Sequence, residues 1–339
     1  MEHYVGIDVS LEQSSVCVVD GGGRVVQEAK IASEPEALIA WLNGLGLALT
    51  GIGLEAGPLS QWLYAAMTHE GLAVQLLETR RVRDAFKSMP VKTDRRDARG
   101  IAQLMRLGWF RPVHCKSLAA QEVRALLTAR KLLQSKLHDV EMSLRGILRG
   151  FGLKVRHTTP RSFEGRIREL VDHHPALTTI AQALLAVRSV LLKEFQALAK
   201  RILSVARADE RAQLLMTAPG IGAIAALTFI SAVDDPSRFK SSKSVGPHFG
   251  LTPTKHQSGE MDRSGRISKC GDEQVRAVLY ECAQTILTRP VKGSELKSWA
   301  MRLARRAGMK KAKVALARKL AIILHRMWVD GTAFRTAQA

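Results

Sequence analysis

The sequence predicts an α/β domain built on a mixed β-sheet, followed by a long helical arm and a mostly helical C-terminal region. Strand-forming and helical stretches alternate through the first part of the chain, and from Lys92 onward strand signals nearly vanish. The composition, with 46% hydrophobic residues in 339, is sufficient for a globular protein with a substantial core. Two or three domains are expected for this length.

Three strand-forming stretches open the chain: YVGIDVS, SSVCVVD and RVVQEAKI. Gly21-Gly22-Gly23 between the second and third predicts a hairpin turn, so the three strands form a meander. Pro35 then begins a helix, TGIGLEA is a short buried strand, Pro58 begins a second helix, and LAVQLLE is a further strand. The resulting order, βββαβαβα, predicts a mixed sheet flanked by helices.

Two long helices are predicted next, over 121–148 and from about 176 to 208, because apolar residues recur there at helical spacing. The segment GLKVRHTTPRSFEGR between them is the expected hairpin or linker, which makes the pair an antiparallel arm. We therefore expect three domains, at 1–112, 113–208 and 209–339.

The third region contains two apolar helical stretches separated by Pro219-Gly220-Ile221-Gly222. This spacing is typical of a helix-hairpin-helix, whose glycine turn presents backbone N–H groups to phosphates, although an ordinary helix-helix turn fits about as well. Residues 241–268 are polar and predict a long loop. Residues 301–320 hold eight Lys or Arg and no acid, and predict one basic amphipathic helix.

The charge distribution points to a polyanionic partner. The chain holds 51 basic and 31 acidic residues, for a formal net charge of +20. The first 78 residues are nevertheless net negative, at −8, and the remainder carries +28. An acidic block in a basic protein is typical of a metal-dependent site in a nucleic-acid-binding protein, although solvated surface charge explains most of these acids equally well.

Other classes of protein are disfavoured by what the sequence does not contain. It has no uninterrupted run of 18 apolar residues and no basic segment before an apolar N-terminal stretch, so we expect no membrane association and a cytoplasmic location. The four cysteines form no C-x-x-C pair, which disfavours a zinc site or a disulfide framework. We expect reduced, structural thiols.

Two carboxylates interrupt or end predicted buried strands. Asp8 follows Gly6-Ile7 in the first strand, and Glu55 ends the strand GIGLEA. A charge in a buried strand is costly unless it is paired or binds a metal. If the first and fourth strands are neighbours, as in an RNase H-like sheet, the two carboxylates converge. Sugar kinases and actin-like ATPases also begin with Gly-Ile-Asp, but they follow it with a phosphate-binding loop that this chain lacks.

A second pair of carboxylates, Asp94 and Asp97, lies at i and i+3 within VKTDRRDARGIA. On a helix this spacing puts both on one face, where a divalent cation relieves their repulsion and the adjacent Arg95, Arg96 and Arg99 do so partly. In the alternative interpretation, Asp94 or Thr93 is only the helix N-cap. Four converging carboxylates match the requirement of paired Mg²⁺ ions in phosphodiester chemistry.

Five ordered segments resemble the DEDD transposases of bacterial insertion sequences, the insertion sequence one-ten family. They are YVGIDVS, GLEAGP, VKTDRRDARGIAQL, LLMTAPGIG and HQSGEMDRSGRISKCGDEQVRAVLYECA, and they extend over nearly the whole chain. The resemblance implies a RuvC-like, RNase H-type N-terminal domain, a helical arm and a C-terminal transposase domain. It assigns the DEDD carboxylates to Asp8, Glu55, Asp94 and Asp97.

The resemblance further implies that the enzyme excises and inserts its element with Mg²⁺, two ions by the family pattern and Mn²⁺ as an alternative. It implies an element-encoded bridge RNA that pairs with donor and target DNA, a homo-oligomer (a dimer or a tetramer), and a nucleophilic serine, here Ser258 in HQSG. The sequence does not rank Ser258 above its neighbours Ser241, Ser242, Ser244 and Ser264. The residues expected to contact nucleic acid are Arg95, Arg96, Arg99, Gly220, Gly222, Lys255, Arg263, Arg266, Lys269, Arg305, Arg306, Lys310 and Lys311.

Two other functions are compatible with the same residues. A RuvC-like junction nuclease would hydrolyse DNA with water and would not need Ser258. A non-catalytic nucleic-acid-binding protein would keep the fold and the basic surface without using the carboxylates.

Overall fold

The computed structural model describes residues 2–87, 93–289 and 295–335. The chain divides into two compact units, 1–116 and 117–339. The first contains the mixed sheet and its helices. The predicted arm and the predicted C-terminal region lie together in the second unit.

The first unit contains the mixed sheet that the sequence predicts. Its strands are β1 (His3–Asp8), β2 (Gln13–Asp20), β3 (Val25–Ala32), β4 (Leu49–Glu55) and β5 (Val74–Leu77). Their order is β3-β2-β1-β4-β5. The meander β1-β2-β3 is antiparallel, whereas β1 pairs with β4, and β4 with β5, in parallel. The first and fourth strands are therefore neighbours, which is the condition under which Asp8 and Glu55 converge.

Four helices cover the sheet: α1 (Pro35–Gly44), α2 (Ser60–His69), α3 (Thr79–Phe86) and α4 (Asp94–Leu107). Val5 and Ile7 of β1 and Ile52 and Leu54 of β4 form a core with α1 and α2 on one face. The other face packs on α4, through Ala98 and Ala102 in particular. Helix α3 is not among the sequence predictions.

Glycines in β1 and β4 let α4 lie directly on the sheet. A Cβ on Gly6 would stand 2.1 Å from the backbone oxygen of Ala98 and 2.3 Å from the backbone nitrogen of Ala102. A Cβ on Gly53 would stand 2.6 Å from Cγ of Met105. Real Cβ atoms do not come this close to other atoms. Gly6 therefore requires glycine, because the backbone of α4 cannot move aside, whereas a side chain at Gly53 would force Met105 and Ile101 to shift.

An ion-pair clamp joins the N-terminal half of α4 to strand β3. Glu28 accepts from Nε of Arg95 at 2.6 Å and from Nη2 of Arg99 at 3.0 Å. In the strand register, Glu28 on β3 pairs with Cys17 on β2, and Cys17 pairs with Gly6 on β1. The clamp is therefore level, across the strands, with the point where α4 contacts Gly6. The hydrogen bond from Arg95, with a further one from Arg99, holds the pKa of the Glu28 carboxyl below its usual value.

The second unit begins with α5 (Leu118–Gly150), α6 (Phe163–Val171) and α7 (Pro175–Ala208). The first and last are the predicted long helices and pack against each other. The interhelix segment contains α6, which the sequence did not predict. Near α6, the buried Arg188 of α7 donates to Oε1 of Glu141 at 2.7 Å and to the backbone oxygen of Pro160 at 3.0 Å. Its guanidinium also lies 4.8 Å from the centre of the Phe163 ring, so it joins α5, α6 and α7.

Helix α7 is long and apolar enough, by length and composition alone, to cross a membrane, and only 22% of its most apolar window is buried. A single helix of this kind is weak support for a membrane protein. It carries Arg188, Lys193 and Lys200 and pairs with α5.

The rest of the second unit is mostly helical. It comprises α8 (Glu210–Met216), α9 (Ala223–Val233), α10 (Val245–His248), the hairpin β6 (Pro253–Ser258) and β7 (Met261–Ile267), then α11 (Glu273–Thr288), α12 (Glu295–Ala307) and α13 (Met309–Asp330). Helix α9 is buried at every position except Ile224 and forms the centre of the core.

Two sequence predictions are wrong in this region. The polar segment 241–268 is not a loop: it holds a 3₁₀ turn (Ser242–Ser244), α10 and the β6-β7 hairpin. The basic tail is not one helix, because Gly308 has φ of +85° and separates α12 from α13. None of the four cysteines forms a disulfide, as predicted, but Cys270 is exposed and not a core residue.

Gly6→Ala is expected to lower the free energy of unfolding by about 3 kcal/mol or more, because its methyl group would meet backbone atoms of α4 that cannot rotate away. Chemical denaturation followed by circular dichroism measures this. Gly44→Ala, at the end of α1 with no atom within 4 Å of the new methyl group, is the matched control, with a change below about 1 kcal/mol. Equal stability of the two variants would contradict the packing argument.

Glu28→Gln is expected to lower the free energy of unfolding at pH 7 by about 1–2 kcal/mol, through loss of the charged acceptor of Arg95 and Arg99. The folded pKa of Glu28 is depressed, so its stabilisation is present above the ordinary glutamate pKa and is lost as pH falls through the folded value. The difference between wild type and variant should therefore shrink towards pH 3. The exposed Glu70→Gln is the control; a pH-independent difference for Glu28→Gln would refute the clamp.

Candidate nucleic-acid and metal site

The strand register brings two of the predicted carboxylates to one edge of the sheet. β1 and β4 are parallel and pair up to Ile7 and Leu54, so Asp8 and Glu55 are the next residues on adjacent strands. Alternate residues of a strand face opposite sides of a sheet. Asp8 therefore shares the face of Gly6, and Glu55 shares the face of Gly53, which is the face that α4 covers.

Helix α4 runs antiparallel to β1, with its N-terminus towards the Asp8 end. Ala98 and Ala102 lie over Gly6, whereas Met105, later in the helix, lies over Gly51 and Gly53. One helical turn before Ala98 advances about 6 Å along the axis, and the two residues from Gly6 to Asp8 advance about the same distance along the strand. The first turn of α4 therefore lies at the level of Asp8.

That first turn carries the other two carboxylates. Thr93 is the N-cap, its hydroxyl accepting from the backbone N–H of Arg96 at 3.3 Å. This settles the open question about the cap: Asp94 is the first helical residue and not the N-cap. Asp94 is exposed, whereas Asp97 is only 8% exposed. A carboxylate at this end of a helix is stabilised by the helix dipole.

The side chains themselves do not form a closed ligand set. Within the described residues, no three Asp, Glu, His or Cys side chains lie close enough together to hold one metal ion. Two observations therefore support a divalent-ion site here: the backbone brings the four carboxylate residues to one edge of the sheet, and carboxylate oxygens are the ligands that Mg²⁺ prefers.

The arginines beside these carboxylates have structural partners. Arg95 and Arg99 both reach across to Glu28 on β3, and the Arg96 backbone N–H is used by the Thr93 cap. Glu28 is a residue that sequence reasoning missed. Its only signal is a single acid among alternating residues of an edge strand, which does not distinguish it from surface charge.

The glycines of the predicted helix-hairpin-helix differ in their surroundings. Gly220 has φ of +76°, and a Cβ there would stand 2.8 Å from Cγ1 of Ile286 on α11. Packing against α11 and backbone conformation thus account for Gly220. Gly222 precedes α9 and has no atom within 4 Å of its Cβ position.

Ser258 lies at the end of β6, next to the turn of the β6-β7 hairpin. It pairs with Met261 across a turn in which Gly259 has φ of +56°. Nearly every residue of both strands is exposed, including Lys255, and Arg263 pairs in register with His256. The serine is therefore presented to solvent on a two-stranded ribbon.

The base of this ribbon is tightly packed. A Cβ on Gly250 would stand 2.4 Å from backbone atoms of Cys270, and one on Gly271 would stand 2.2 Å from the backbone oxygen of His248. Nη1 of Arg276, on α11, donates to the backbone oxygen of Cys270 at 2.7 Å and to that of Gly271 at 3.0 Å. Arg276 is a further residue that the sequence analysis did not identify.

The rival serines have different environments. The hydroxyl of Ser244 donates to the backbone oxygen of Ser241 at 2.7 Å, and that of Ser242 lies 3.0 Å from Nδ1 of His325. Ser264 is exposed on β7, opposite Lys255.

Four cations of the basic tail meet at the corner between α12 and α13, rather than along one helix face. They are all exposed, and they lie on either side of Gly308: Arg305, Arg306, Lys310 and Lys311. Ion pairs for these four are absent from the described part of the chain. Arg266 and Lys269, predicted with them as phosphate ligands, flank the end of β7, and Lys269 has φ of +54°.

Comparison with known proteins identifies two family models on this chain. A DEDD-transposase model of the IS110 type, described as a transposase, matches residues 5–152, and a model described as the transposase IS116/IS110/IS902 family matches residues 212–297. The first covers the sheet and α4, and the second covers the hairpin with Ser258.

Individual proteins similar to this chain include transposases of other insertion sequences. The transposase for insertion sequence element IS1111A of Coxiella burnetii is 28% identical over 327 residues, or 94% of this chain and 88% of the relative. The putative transposase y4pF/y4sB of Sinorhizobium fredii is 29% identical over 253 residues, covering 73% of this chain and 65% of the relative. A pilin gene-inverting protein of Moraxella bovis is 36% identical over 73 residues, covering 21% and 23%. The chain is an enzyme that belongs to the IS110 family of insertion-sequence transposases.

Proposed function

We propose that this transposase cleaves and rejoins DNA strands through a divalent-metal site at the carboxyl ends of β1 and β4 and through a serine nucleophile on the β6-β7 hairpin. The observation that carries the metal site is the register of β1 with β4, which brings Asp8 and Glu55 side by side on the face that α4 covers. The first turn of α4 adds Asp94 and Asp97 at the same end of the sheet.

The four carboxylates would hold the metal, as two Mg²⁺ ions or alternatively Mn²⁺. Such ions, when bound, lower the pKa of an attacking hydroxyl and stabilise the negative charge that develops on the leaving oxygen. Glu55 and Asp8 are fixed by the strand ends, and Asp97 is fixed by the packing of α4. The Glu28 clamp keeps the first turn of α4 in place.

Ser258 is the proposed nucleophile. Its Oγ attacks the phosphorus, the Oγ–P bond forms as the P–O bond to the leaving strand breaks, and the proton lost by the serine hydroxyl is taken up by the leaving oxygen. The phosphoserine ester conserves the energy of the broken bond, so a second strand end can replace the serine without another energy source. The exposure of the hairpin supports this assignment, because DNA must reach the serine.

Nucleic-acid contacts follow the exposed cations. Lys255, Arg263, Arg266 and Lys269 lie on or beside the hairpin, and the corner between α12 and α13 adds four more. Such cations bind phosphates without reading sequence. The turn before α9 could add backbone N–H groups at Gly222. Arg95 and Arg99 would contact DNA only in addition to their bonds with Glu28.

Sequence selection by an element-encoded bridge RNA, and assembly into a dimer or tetramer, complete the proposal. Both rest on the family resemblance, with the net charge of +20 as support for a polyanionic partner. In this scheme base pairing selects the sites, and the protein binds backbone shape. RNA that co-purifies with the full chain, sequenced and compared with the DNA flanking its gene, tests the guidance.

Asp8→Asn, Glu55→Gln, Asp94→Asn and Asp97→Asn are each expected to lower excision of the element from a plasmid by about a hundredfold or more, because each removes a charged metal ligand. Glu36→Gln, an exposed carboxylate in the same unit, is the matched control and should excise normally. DNA binding by the purified variants should persist. Normal excision by all four variants would instead indicate a non-catalytic binding protein.

Ser258→Ala separates the transposase from a water-using nuclease. The proposal predicts that wild type forms a covalent protein–DNA adduct with a nicked substrate, and that Ser258→Ala loses this adduct together with cleavage and rejoining. Ser264→Ala is the matched control on the facing strand. Undiminished cleavage and rejoining by Ser258→Ala would remove this serine from the mechanism.

A further inference from the structure

Three side chains hold the chain segment that leads into the hairpin, residues 236–252. Arg238 donates from Nε to the backbone oxygen of Val233 at 2.9 Å and from Nη2 to that of Ala232 at 3.2 Å, which closes the C-terminus of α9. Arg276 holds the hairpin base from α11, as described above. The third side chain is His325 of α13, which the proposed chemistry does not use.

His325 is almost completely buried, with 2% of its surface exposed, and both ring nitrogens have partners. Nε2 lies 3.1 Å from the backbone oxygen of Pro236, and Nδ1 lies 3.0 Å from Oγ of Ser242. A carbonyl oxygen only accepts, so Nε2 carries the proton. Nδ1 of the neutral ring is then the acceptor, and the Ser242 hydroxyl donates to it. One uncharged imidazole thus joins the start of the segment to its middle.

The surroundings favour the neutral ring. Burial lowers the pKa of His325; the hydrogen bond to Pro236 opposes this, and the positive charge of Arg238 adds to it. Phe239 packs edge-on against His325 and against His248, with ring centres 5.3 Å and 5.0 Å apart. Other charged or titratable groups on the packed elements are Arg238, whose guanidinium lies 4.4 Å from the centre of the Phe239 ring, His248 on α10, and Lys243 in the 3₁₀ turn that packs on α13. Asp234 and Asp235 act on Arg238, and the side chain of Arg318 lies beside Gly246.

The held segment is continuous with the ribbon that carries Ser258. Val245 and Phe249, just after Ser242, are completely buried in the core. Gly250 then crosses the backbone of Cys270 with no space for a side chain, and β6 begins three residues later. A shift of residues 236–248 must therefore pass to the base of the hairpin.

We infer that His325 is a positioning residue for the β6-β7 hairpin: its neutral imidazole fixes Pro236 and Ser242, and through them the direction in which Ser258 is presented. This inference rests on the proposed function, because the hairpin matters for activity only if Ser258 reacts. Protonation of the ring turns Nδ1 into a donor and removes the acceptor of Ser242. Burial lowers the pKa of the folded ring, so the intact arrangement persists at and above the ordinary histidine pKa and is lost only as pH falls through the lower folded value.

The test uses the full chain with Ser242→Ala, which removes one hydrogen bond, His325→Leu, which removes both, and Ser237→Ala as the control. The Ser237 hydroxyl donates to Asp235 and does not contact His325. Hydrogen exchange of the amides in β6 and β7 is measured at pH 7.5, with the amides of α9 as a reference for global unfolding. Excision is measured for the same variants between pH 4.5 and 8, so that the range extends well below the ordinary histidine pKa.

At pH 7.5 we expect Ser242→Ala to raise amide exchange in the hairpin roughly fivefold to tenfold, the effect of about one hydrogen bond, with α9 unchanged. Excision should fall by a similar factor. His325→Leu should exceed both effects, and the control should show neither. The gap between wild type and Ser242→Ala should close as pH falls, because protonated His325 no longer accepts from Ser242.

Unchanged hairpin exchange in Ser242→Ala would overturn the inference. So would complete loss of excision with unchanged exchange, since Ser242 would then be a reacting group. A gap in excision that does not change with pH would also overturn it, because the ring would not act as a titratable acceptor. The exchange result does not depend on which serine reacts, so it stays informative if Ser258→Ala proves active and the proposed function fails.

Discussion

The backbone contact between α4 and strand β1 is the constraint on which the proposed metal site depends. Ala98 and Ala102 lie so close to Gly6 that no side chain fits between them. The same helix rests on Gly53 in the neighbouring strand. Two residues further along each strand, on the same face, are Asp8 and Glu55. In each strand the glycine lets α4 lie close to the sheet. The carboxylate two residues later then lies on the same face, at the edge of the sheet.

The two carboxylates in the first turn of α4 repel each other, and ion pairs from other residues of the helix hold it in place. Asp97 is nearly buried in the first turn of α4, where the helix dipole stabilises its charge, and Asp94 is exposed beside it. Two arginines that could have neutralised these acids bind Glu28 instead and hold α4 to β3. These two arginines therefore serve the packing of α4 on the sheet, and the attraction of nucleic acid falls to the other cations of a strongly basic protein.

The sequence predicted the parts of the fold that follow hydrophobic periodicity. The strands of the meander, strand β4 and the two long helices α5 and α7 all have strong apolar patterns, whereas the parallel pairing of β1 with β4 has no signal in these patterns. The β6-β7 hairpin was missed because both of its faces are polar and exposed, so its strands lack the alternation by which a half-buried strand is recognised. The break at Gly308 was missed because apolar residues keep helical spacing on both sides of it.

The sequence likewise identified some of the site residues and missed others. Asp8, Glu55 and the Asp94/Asp97 pair were found because charges interrupt or follow apolar strands, or repeat at helical spacing. Glu28 and His325 were not found, because each acts through partners distant in sequence. Arg276 was not found, because its partners are backbone oxygens of Cys270 and Gly271, and the sequence does not show which side chain binds a backbone oxygen. His325 lies in a helix with many basic residues, and nothing local shows that it is buried against Pro236 and Ser242. Pairing across the fold has no signature in one sequence.

The most direct test of the central claim is a crystal structure of the wild-type chain grown with Mn²⁺, with data collected at the manganese absorption edge. The account predicts one or two anomalous peaks about 2.2 Å from carboxylate oxygens of Asp8 and Glu55, with Asp97 or Asp94 completing the ligands. An ordered sheet edge at which manganese is absent from these carboxylates, while it binds elsewhere on the protein, would contradict it.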